Sequence, residues 1–270
     1  YCKGYFRYFS MNILNADCQD VIKNFQEKSI DVLITSPPYN LGIKYNNYID
    51  KNKNYIDWLS NIINDCSNLL KDNGHIFLNL SSGKESPFTS YKVAEKIKWK
   101  IQNSIIWAKA VEIDKQVRGY TTPHQSKRYL INGWEHIFHF TKDGNTEIDV
   151  EWSSVPFNKD YNNYERQVKR TGKNWRKTTN CWHFTYQSKA TKEITKTITG
   201  EKKHPAIFPE KLVEKCIKLS GVKKGIVFDP FLGTGTTALV AKKMNLDFIG
   251  IEIDKDYFNF AKKRLENILL

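Results

Sequence analysis

Cysteine is scarce in this sequence and badly placed for pairing. The 270 residues hold five, Cys2, Cys18, Cys66, Cys181 and Cys216, an odd number scattered along the chain. No CxxC occurs, and no Cys/His spacing suits zinc, so neither a disulfide framework nor a structural zinc site organises the fold; the thiols read as reduced, in a cytoplasmic protein. No apolar run approaches the ~20 residues that a membrane-spanning helix needs. No secretory leader precedes Met11, and no internal repeat or low-complexity tract is present. Residues 1–10, YCKGYFRYFS, read as an amino-terminal extension, either an upstream tail or a packed arm. Acidic residues are in deficit, 29 Asp and Glu against 42 Lys and Arg, for a formal charge of +13. Such an excess speaks of partners rather than of fold, and a polyanion is the first candidate. The plainer alternative is a protein that is merely basic.

Hydrophobic patterning is regular over most of the length. Short apolar runs at 11–16, 31–35, 75–80, 101–108, 134–141, 226–228 and 247–253 read as strands. Three-and-four spacings at 19–28, 55–70, 90–98, 209–221, 236–244 and 257–269 read as helices. Asn73-Gly74 is placed as the stop of the 55–70 helix, and Pro209 and Gly221 bracket a later one. Strands alternating with helices imply an α/β fold, with a mostly parallel sheet covered by helices on both faces. Trp107 and Trp134 read as core. Residues 143–203 break the pattern, being polar and without a clear period. Within 159–203, twelve Lys and Arg stand against four Asp and Glu, with six aromatics interleaved. This concentration of charge reads as an insertion into the sheet domain, which gives a division into 11–142 with 201–270, and an inserted region at 143–200.

Two stretches carry chemistry. In DVLITSPPYNLGIKY, residues 31–45, a buried strand runs straight into Ser36-Pro37-Pro38-Tyr39. Neither proline can donate to a sheet ladder, so the strand must stop there. Taken alone, this is a turn. In the second stretch, 225–254, a strand ends at Asp229, and Gly233-Thr234-Gly235 opens a helix. Another strand then ends at Glu252, seventeen residues after Gly235. Glycines let a backbone approach a ligand, a helix start faces its polar part, and an acid at the next strand tip accepts from ribose hydroxyls. No Lys-Ser/Thr follows at the place a phosphate-binding P-loop requires, and the third glycine of GxGxxG is absent.

Together, Thr35-Ser36-Pro37-Pro38-Tyr39-Asn40 and Asp229-Pro230-Phe231-Leu232-Gly233-Thr234-Gly235-Thr236-Thr237 resemble the amino-group DNA methyltransferases that use S-adenosyl-L-methionine. The order of catalytic motif, variable basic region and glycine loop resembles the β class. Asp17-Cys18 resembles the acidic tip near the cofactor adenine, His204-Pro205 the segment before the glycine strand, and Ile106-Trp107-Ala108-Lys109 a strand end of the family. Asp17 also reads as a helix N-cap, and His204 as a surface histidine. The resemblance implies a Rossmann-like methyltransferase fold with an inserted target-recognition region. It implies catalytic residues Ser36, Pro37, Pro38 and Tyr39. It implies cofactor contacts from Asp17, Cys18, Thr35, His204, Asp229, Pro230, Phe231, Gly233, Thr234, Gly235, Thr236, Thr237, Glu252 and Ile253.

An exocyclic amino nitrogen is a poor nucleophile because its lone pair is delocalised into the ring. Ser36 Oγ and the Pro37 carbonyl would accept its two hydrogens and turn the lone pair outward. The prolines hold that carbonyl in place beforehand. Tyr39 offers a face to a base flipped out of the duplex. The expected partner is double-stranded DNA, with a cognate restriction endonuclease, a second copy of the chain as a homodimer, and no membrane. Within the insertion Arg166, Gln167, Arg170, Asn174 and Arg176 are candidate DNA contacts, and the loop 40–54 is a candidate cover for the base. Ser-Pro-Pro-Tyr in the family goes mostly with N4 of cytosine, and Asp- or Asn-Pro-Pro-Tyr with N6 of adenine, so cytosine N4 is the expected target. An RNA or protein methyltransferase, a nicotinamide dehydrogenase and a non-catalytic DNA-binding scaffold stand as alternatives.

Overall fold

The computed structural model of the chain describes residues 12–42, 50–83, 86–119, 127–130, 132–157, 159, 163–184 and 209–267. The amino-terminal extension and His204 lie outside them. The strands are β1 (Asn12–Asn15), β2 (Ile30–Thr35), β3 (Leu70–Leu80), β4 (Lys100–Ala108), β5 (Ala110–Ile113), β6 (Gln116–Gly119), β7 (Trp134–Thr141), β8 (Val155–Pro156), β9 (Trp175–Arg176), β10 (Cys181–His183), β11 (Ile226–Asp229) and β12 (Asp247–Glu252). The helices are α1 (Cys18–Val21), α2 (Tyr55–Ser67), α3 (Thr89–Glu95), α4 (Tyr164–Thr171), α5 (Glu210–Ser220), α6 (Thr236–Lys243) and α7 (Lys255–Glu266).

Eight strands form one sheet in the order β1-β12-β11-β2-β3-β7-β4-β10. All pairings are parallel except those of β7, which runs antiparallel between β3 and β4. From β2 the chain moves outward to β3, and from β11 it moves the other way to β12. The order therefore reverses between β2 and β11. In open α/β sheets, ligands bind outside the carboxyl ends of the strands at such a point.

Strand alternation builds two cores. Leu33, Ile76, Leu78 and Phe138 pack under Leu59, Ile62 and Ile63 of α2 on one face. Val32, Ile34, Phe77 and Ile137 pack against Leu212, Val213 and Ile217 of α5, and against α6, on the other. Both sides of the central strands are thus buried, which explains why their sequences are apolar without alternating.

Three expectations are corrected. The helix beginning at Tyr55 ends at Ser67, not at Asn73-Gly74. The chain turns at once, with Ile30 donating to the Leu69 carbonyl at 3.0 Å. Gly74 sits inside β3, where the pairing jumps from Ile30↔Leu70 to Val32↔His75. The carboxy-terminal helix starts two residues before the expected Tyr257, because Asp254 caps it by accepting from the backbone N–H groups of Asp256 (2.9 Å) and Tyr257 (3.1 Å). Trp134 is 45% exposed, while Trp107, as expected, is buried.

Among the described residues of 143–184, several are joined to the sheet domain. Gln102 and Thr146 hydrogen-bond each other twice, at 2.7 and 3.0 Å. Asp149 donates its N–H to Leu219 at 3.1 Å, and β10 is the edge strand of the main sheet. Trp107 stacks on Phe184 and donates to its carbonyl at 3.0 Å.

A neutral histidine pair lies inside the sheet. Asn103 Nδ2 donates to His139 Nδ1 at 2.9 Å, and His139 Nε2 meets His75 Nδ1 at 2.9 Å. Burial pushes both imidazoles down, and His75 further opposes a proton on His139. Their folded affinity for protons lies below the unfolded one. The unfolded chain therefore takes up protons first as pH falls below about 6.5, and stability falls with it. Between pH 7 and pH 5 the denaturant midpoint of His139→Gln should fall less, or rise more, than that of the wild type. Asp229 and Glu252, whose carboxyls burial raises, act in the opposite sense, so the variant difference is the diagnostic quantity. An equal slope in His139→Gln would overturn the assignment.

Candidate active site

The ends of β1, β2, β11 and β12 converge on a cavity of about 560 Å³. Ser36, Pro37, Pro38 and Tyr39 line one side of it, directly beyond β2. Pro230, Phe231, Gly233 and Thr234 line another, beyond β11. Glu252 and Ile253 close it from β12, and Asp17 and Cys18 from the end of β1. The two motifs, far apart in sequence, therefore share one chamber.

Asp229 ties these strand ends together. Its carboxylate accepts from Thr35 Oγ1 and Thr237 Oγ1, each at 2.7 Å, and from the Phe231 N–H at 3.0 Å. Burial pushes its carboxyl up to about 6. Gly235 has φ +82 and begins α6; a Cβ there would stand 2.8 Å from that of Ala261. Glycine is therefore required by conformation and by packing together. At Gly233, φ +56, the nearest atom to an added Cβ would be 4.0 Å away, so this turn faces open space. Glu252 accepts from the Gly233 N–H at 2.7 Å and from the Asp254 N–H at 2.8 Å. Burial raises its carboxyl to about 7.

Asp17 fits both of its sequence readings. It caps α1 by accepting from the Gln19 N–H at 2.9 Å, and it lines the cavity. Cys18 is buried, which pushes its thiol up to about 12 and makes it inert as a nucleophile. Thr35 sits behind the cavity wall, on Asp229. Arg166 and Arg170 lie on α4, which buries none of its residues, and Asn174 and Arg176 are exposed beyond it. Gln167 donates to Asn163 at 2.7 Å. Of the loop 40–54, residues Asn40, Asp50, Lys51 and Asn52 line the cavity, and 43–49 lie outside the described residues.

Several site residues have no counterpart in the motifs. Tyr55 and Trp58 project from the first turn of α2; Tyr55 donates to the Pro38 carbonyl at 2.6 Å, and Trp58 meets Phe231 edge-on at 5.8 Å. Behind the tetrapeptide lies a polar network. Ser36 Oγ is 2.7 Å from Tyr39 Oη, which donates to Glu135 Oε2 at 3.0 Å. Asn79 Nδ2 donates to Glu135 Oε2 at 2.6 Å and also contacts Tyr39. Lys109 pairs with Glu135 Oε1 at 2.8 Å. The signal available in sequence was a polar residue interrupting an apolar strand near this edge: Asn79 is next to last in β3. Glu135 is second in β7, whose antiparallel run brings its beginning to the same side.

A family model described as DNA methylase matches residues 30–263. The chain is similar to the type II methyltransferase M.HpaI of Haemophilus parainfluenzae, 32% identical over 249 residues that span 91% of this chain and 71% of that one. It is also similar to M1.MboII of Moraxella bovis, 26% identical over 254 residues, or 91% and 92%. Among solved structures, PvuII DNA methyltransferase (cytosine-N4-specific) aligns with a TM-score of 0.69 at 18% identity, over 97% of this chain and 89% of that one. The M1.HpyAVI–SAM complex aligns with a TM-score of 0.61 at 26% identity, over 95% and 99%.

Proposed function

This chain belongs to the DNA methylase family, and from that premise we propose that it methylates N4 of cytosine at a specific site in double-stranded DNA. It is an amino-group DNA methyltransferase of Rossmann-like fold, and its cofactor is S-adenosyl-L-methionine. The observation that carries the finer reading is Ser36-Pro37-Pro38-Tyr39 at the end of β2, opening into the same cavity as the glycine turn beyond β11.

The residues present fit the cofactor. A cavity of about 560 Å³ has a glycine turn open to it, an aromatic wall of Trp58 and Phe231, and the Glu252 carboxylate at the tip of the next strand. Bound there, its sulfonium supplies an electrophilic methyl group. Glu252 is placed to accept from ribose hydroxyls. Ser36 Oγ accepts a hydrogen bond from one N–H of the target amino group, and the Pro37 carbonyl accepts from the other. On transfer one of these two protons is released and the other stays on the methylated nitrogen. The two prolines hold that carbonyl before the base arrives, so little reorganisation is left for the reaction. Tyr39 gives the flipped base a face to rest on. Transfer is direct and needs no cysteine nucleophile, in keeping with the buried, unreactive Cys18.

The polar stretch from Val155 to Asn180 is the proposed recognition region, with Arg166, Arg170, Asn174 and Arg176 on the DNA. It forms the middle of the proposed insertion 143–200, whose described parts at Thr146 and Cys181–His183 join the sheet domain. His204 stays a proposed cofactor contact. A cognate restriction endonuclease, pairing of two copies and work on chromosomal DNA in the cytoplasm complete the proposal.

The test is methylation of random-sequence DNA with labelled cofactor, digestion to nucleosides, and mass spectrometry. N4-methylcytosine in one sequence context is the expected product. N6-methyladenine alone would overturn the choice of base, and no label in DNA would overturn the reading as a whole.

A further inference from the structure

The network behind the tetrapeptide has a direction, and that direction is set from its far end. Glu135 is 5% exposed and paired with Lys109 at 2.8 Å. Its carboxylate can only accept hydrogen bonds. Tyr39 therefore donates its single hydroxyl hydrogen to Glu135 Oε2, at 3.0 Å. The hydrogen shared between Tyr39 Oη and Ser36 Oγ, 2.7 Å apart, must then come from Ser36. Asn79 reinforces the same sense. Its Nδ2 faces Tyr39, Glu135 and, at 3.4 Å, Ser36. Its Oδ1 has no partner among the described residues, yet turning the amide over would set that oxygen against the Glu135 carboxylate. Every bond thus runs toward Glu135, and the Ser36 hydrogen points into the protein.

We propose that Glu135, acting through Tyr39, is a positioning residue that fixes the hydrogen-bond polarity of Ser36, and so lets the site tell an exocyclic amino group from a keto oxygen. With its hydrogen committed to Tyr39, Ser36 Oγ offers only lone pairs to the cavity. An amino group donates to them. A keto oxygen at the same ring position meets acceptor against acceptor, with both groups desolvated. Cytosine is thereby separated from uracil and thymine, and adenine from hypoxanthine, by Ser36 lone pairs whose orientation is set by a charge behind the motif. This rests on the reading of Ser36 as the residue that accepts from the target amino group.

The test is Glu135→Gln, which preserves volume. Its carboxamide can donate to Tyr39 Oη, which would turn the Tyr39 hydrogen toward Ser36 and the Ser36 hydrogen toward the base. Tyr39→Phe, which cuts the chain while keeping the ring, guards against misfolding of the first variant. Single-turnover rates, cofactor affinity by calorimetry and binding to duplexes with the target base or its keto counterpart are measured on wild type and both variants. In each variant the methylation rate should fall about 10- to 100-fold, with cofactor affinity within about twofold. Discrimination against the keto base, relative to wild type, should weaken at least about tenfold. Taking the ratio to wild type cancels the easier opening of a mismatched pair. Unchanged discrimination in folded variants overturns the inference. Methylation of adenine with weakened discrimination against hypoxanthine supports it and overturns only the choice of base. A wild type that transfers no methyl group overturns the reading beneath it, and this inference with it.

Discussion

Ser36→Ala should lower single-turnover methyl transfer by about 10²- to 10³-fold, the usual cost of removing one preorganised hydrogen-bonding partner from a reacting group. Cofactor affinity should stay within about twofold. Ser36 is the first residue beyond β2, so alanine leaves the strand and both prolines in place. It also leaves Tyr39 held by Glu135 at 3.0 Å. What disappears is the acceptor for one amino hydrogen; the Pro37 carbonyl still takes the other, so activity falls without vanishing. Because the bond matters most as the nitrogen turns its lone pair toward the methyl donor, the loss belongs in kcat rather than in KM for DNA. Rapid-quench measurement with a saturating duplex checks this. A raised KM with unchanged kcat would place Ser36 in ground-state binding and move the catalytic acceptor elsewhere.

The second large effect is expected away from the base. Asp229→Ala should destabilise the fold by about 3 kcal/mol or more and weaken cofactor binding by at least about 100-fold. Asp229 is fully buried and holds three donors: Thr35 of β2, Thr237 of α6 and the N–H of Phe231. Alanine leaves all three without an acceptor. It also unties the end of β2 from the turn that lines the cavity. Urea unfolding with and without cofactor checks both parts. A variant with wild-type stability and affinity would mean that the turn is held by its glycines and by α7 packing alone.

Much of this architecture could be read from punctuation. The prolines after Thr35, the glycine turn after Asp229, and Pro209 and Gly221 around α5 each impose a local geometry that few alternatives satisfy. Asn73-Gly74 misled for the same reason. It is a stop signal, but the chain uses it inside a strand, at an irregularity whose cause is the pairing of β3 with β2. The hairpin β5–β6 was missed because Asp114 and Lys115 turn it with φ of +50 and +64 where Asn-Gly would be the usual signal. Glu135 and Asn79 were passed over because periodicity reports how deeply a residue is buried, not what it meets; their contact spans 56 residues. The strand β10 hid in a polar stretch because three residues have too short a period to see, and its place comes from Trp182 and Phe184 packing across to Trp107.

The hydrogen bond from Thr35 to Asp229 closes a loop of 194 residues, and β1 reaches across still more chain to β12. Contacts of such separation form late, since the entropy of closing the loop precedes any return from the contact. During synthesis, β2 and Ser36-Pro37-Pro38-Tyr39 emerge long before the strand that completes their cavity. Half-made chains therefore carry an apolar strand with one edge waiting, and the cavity closes only when residues 226–252 dock. Topologies with such long-range pairing fold slowly, and the unpaired edge is exposed to association in the interval.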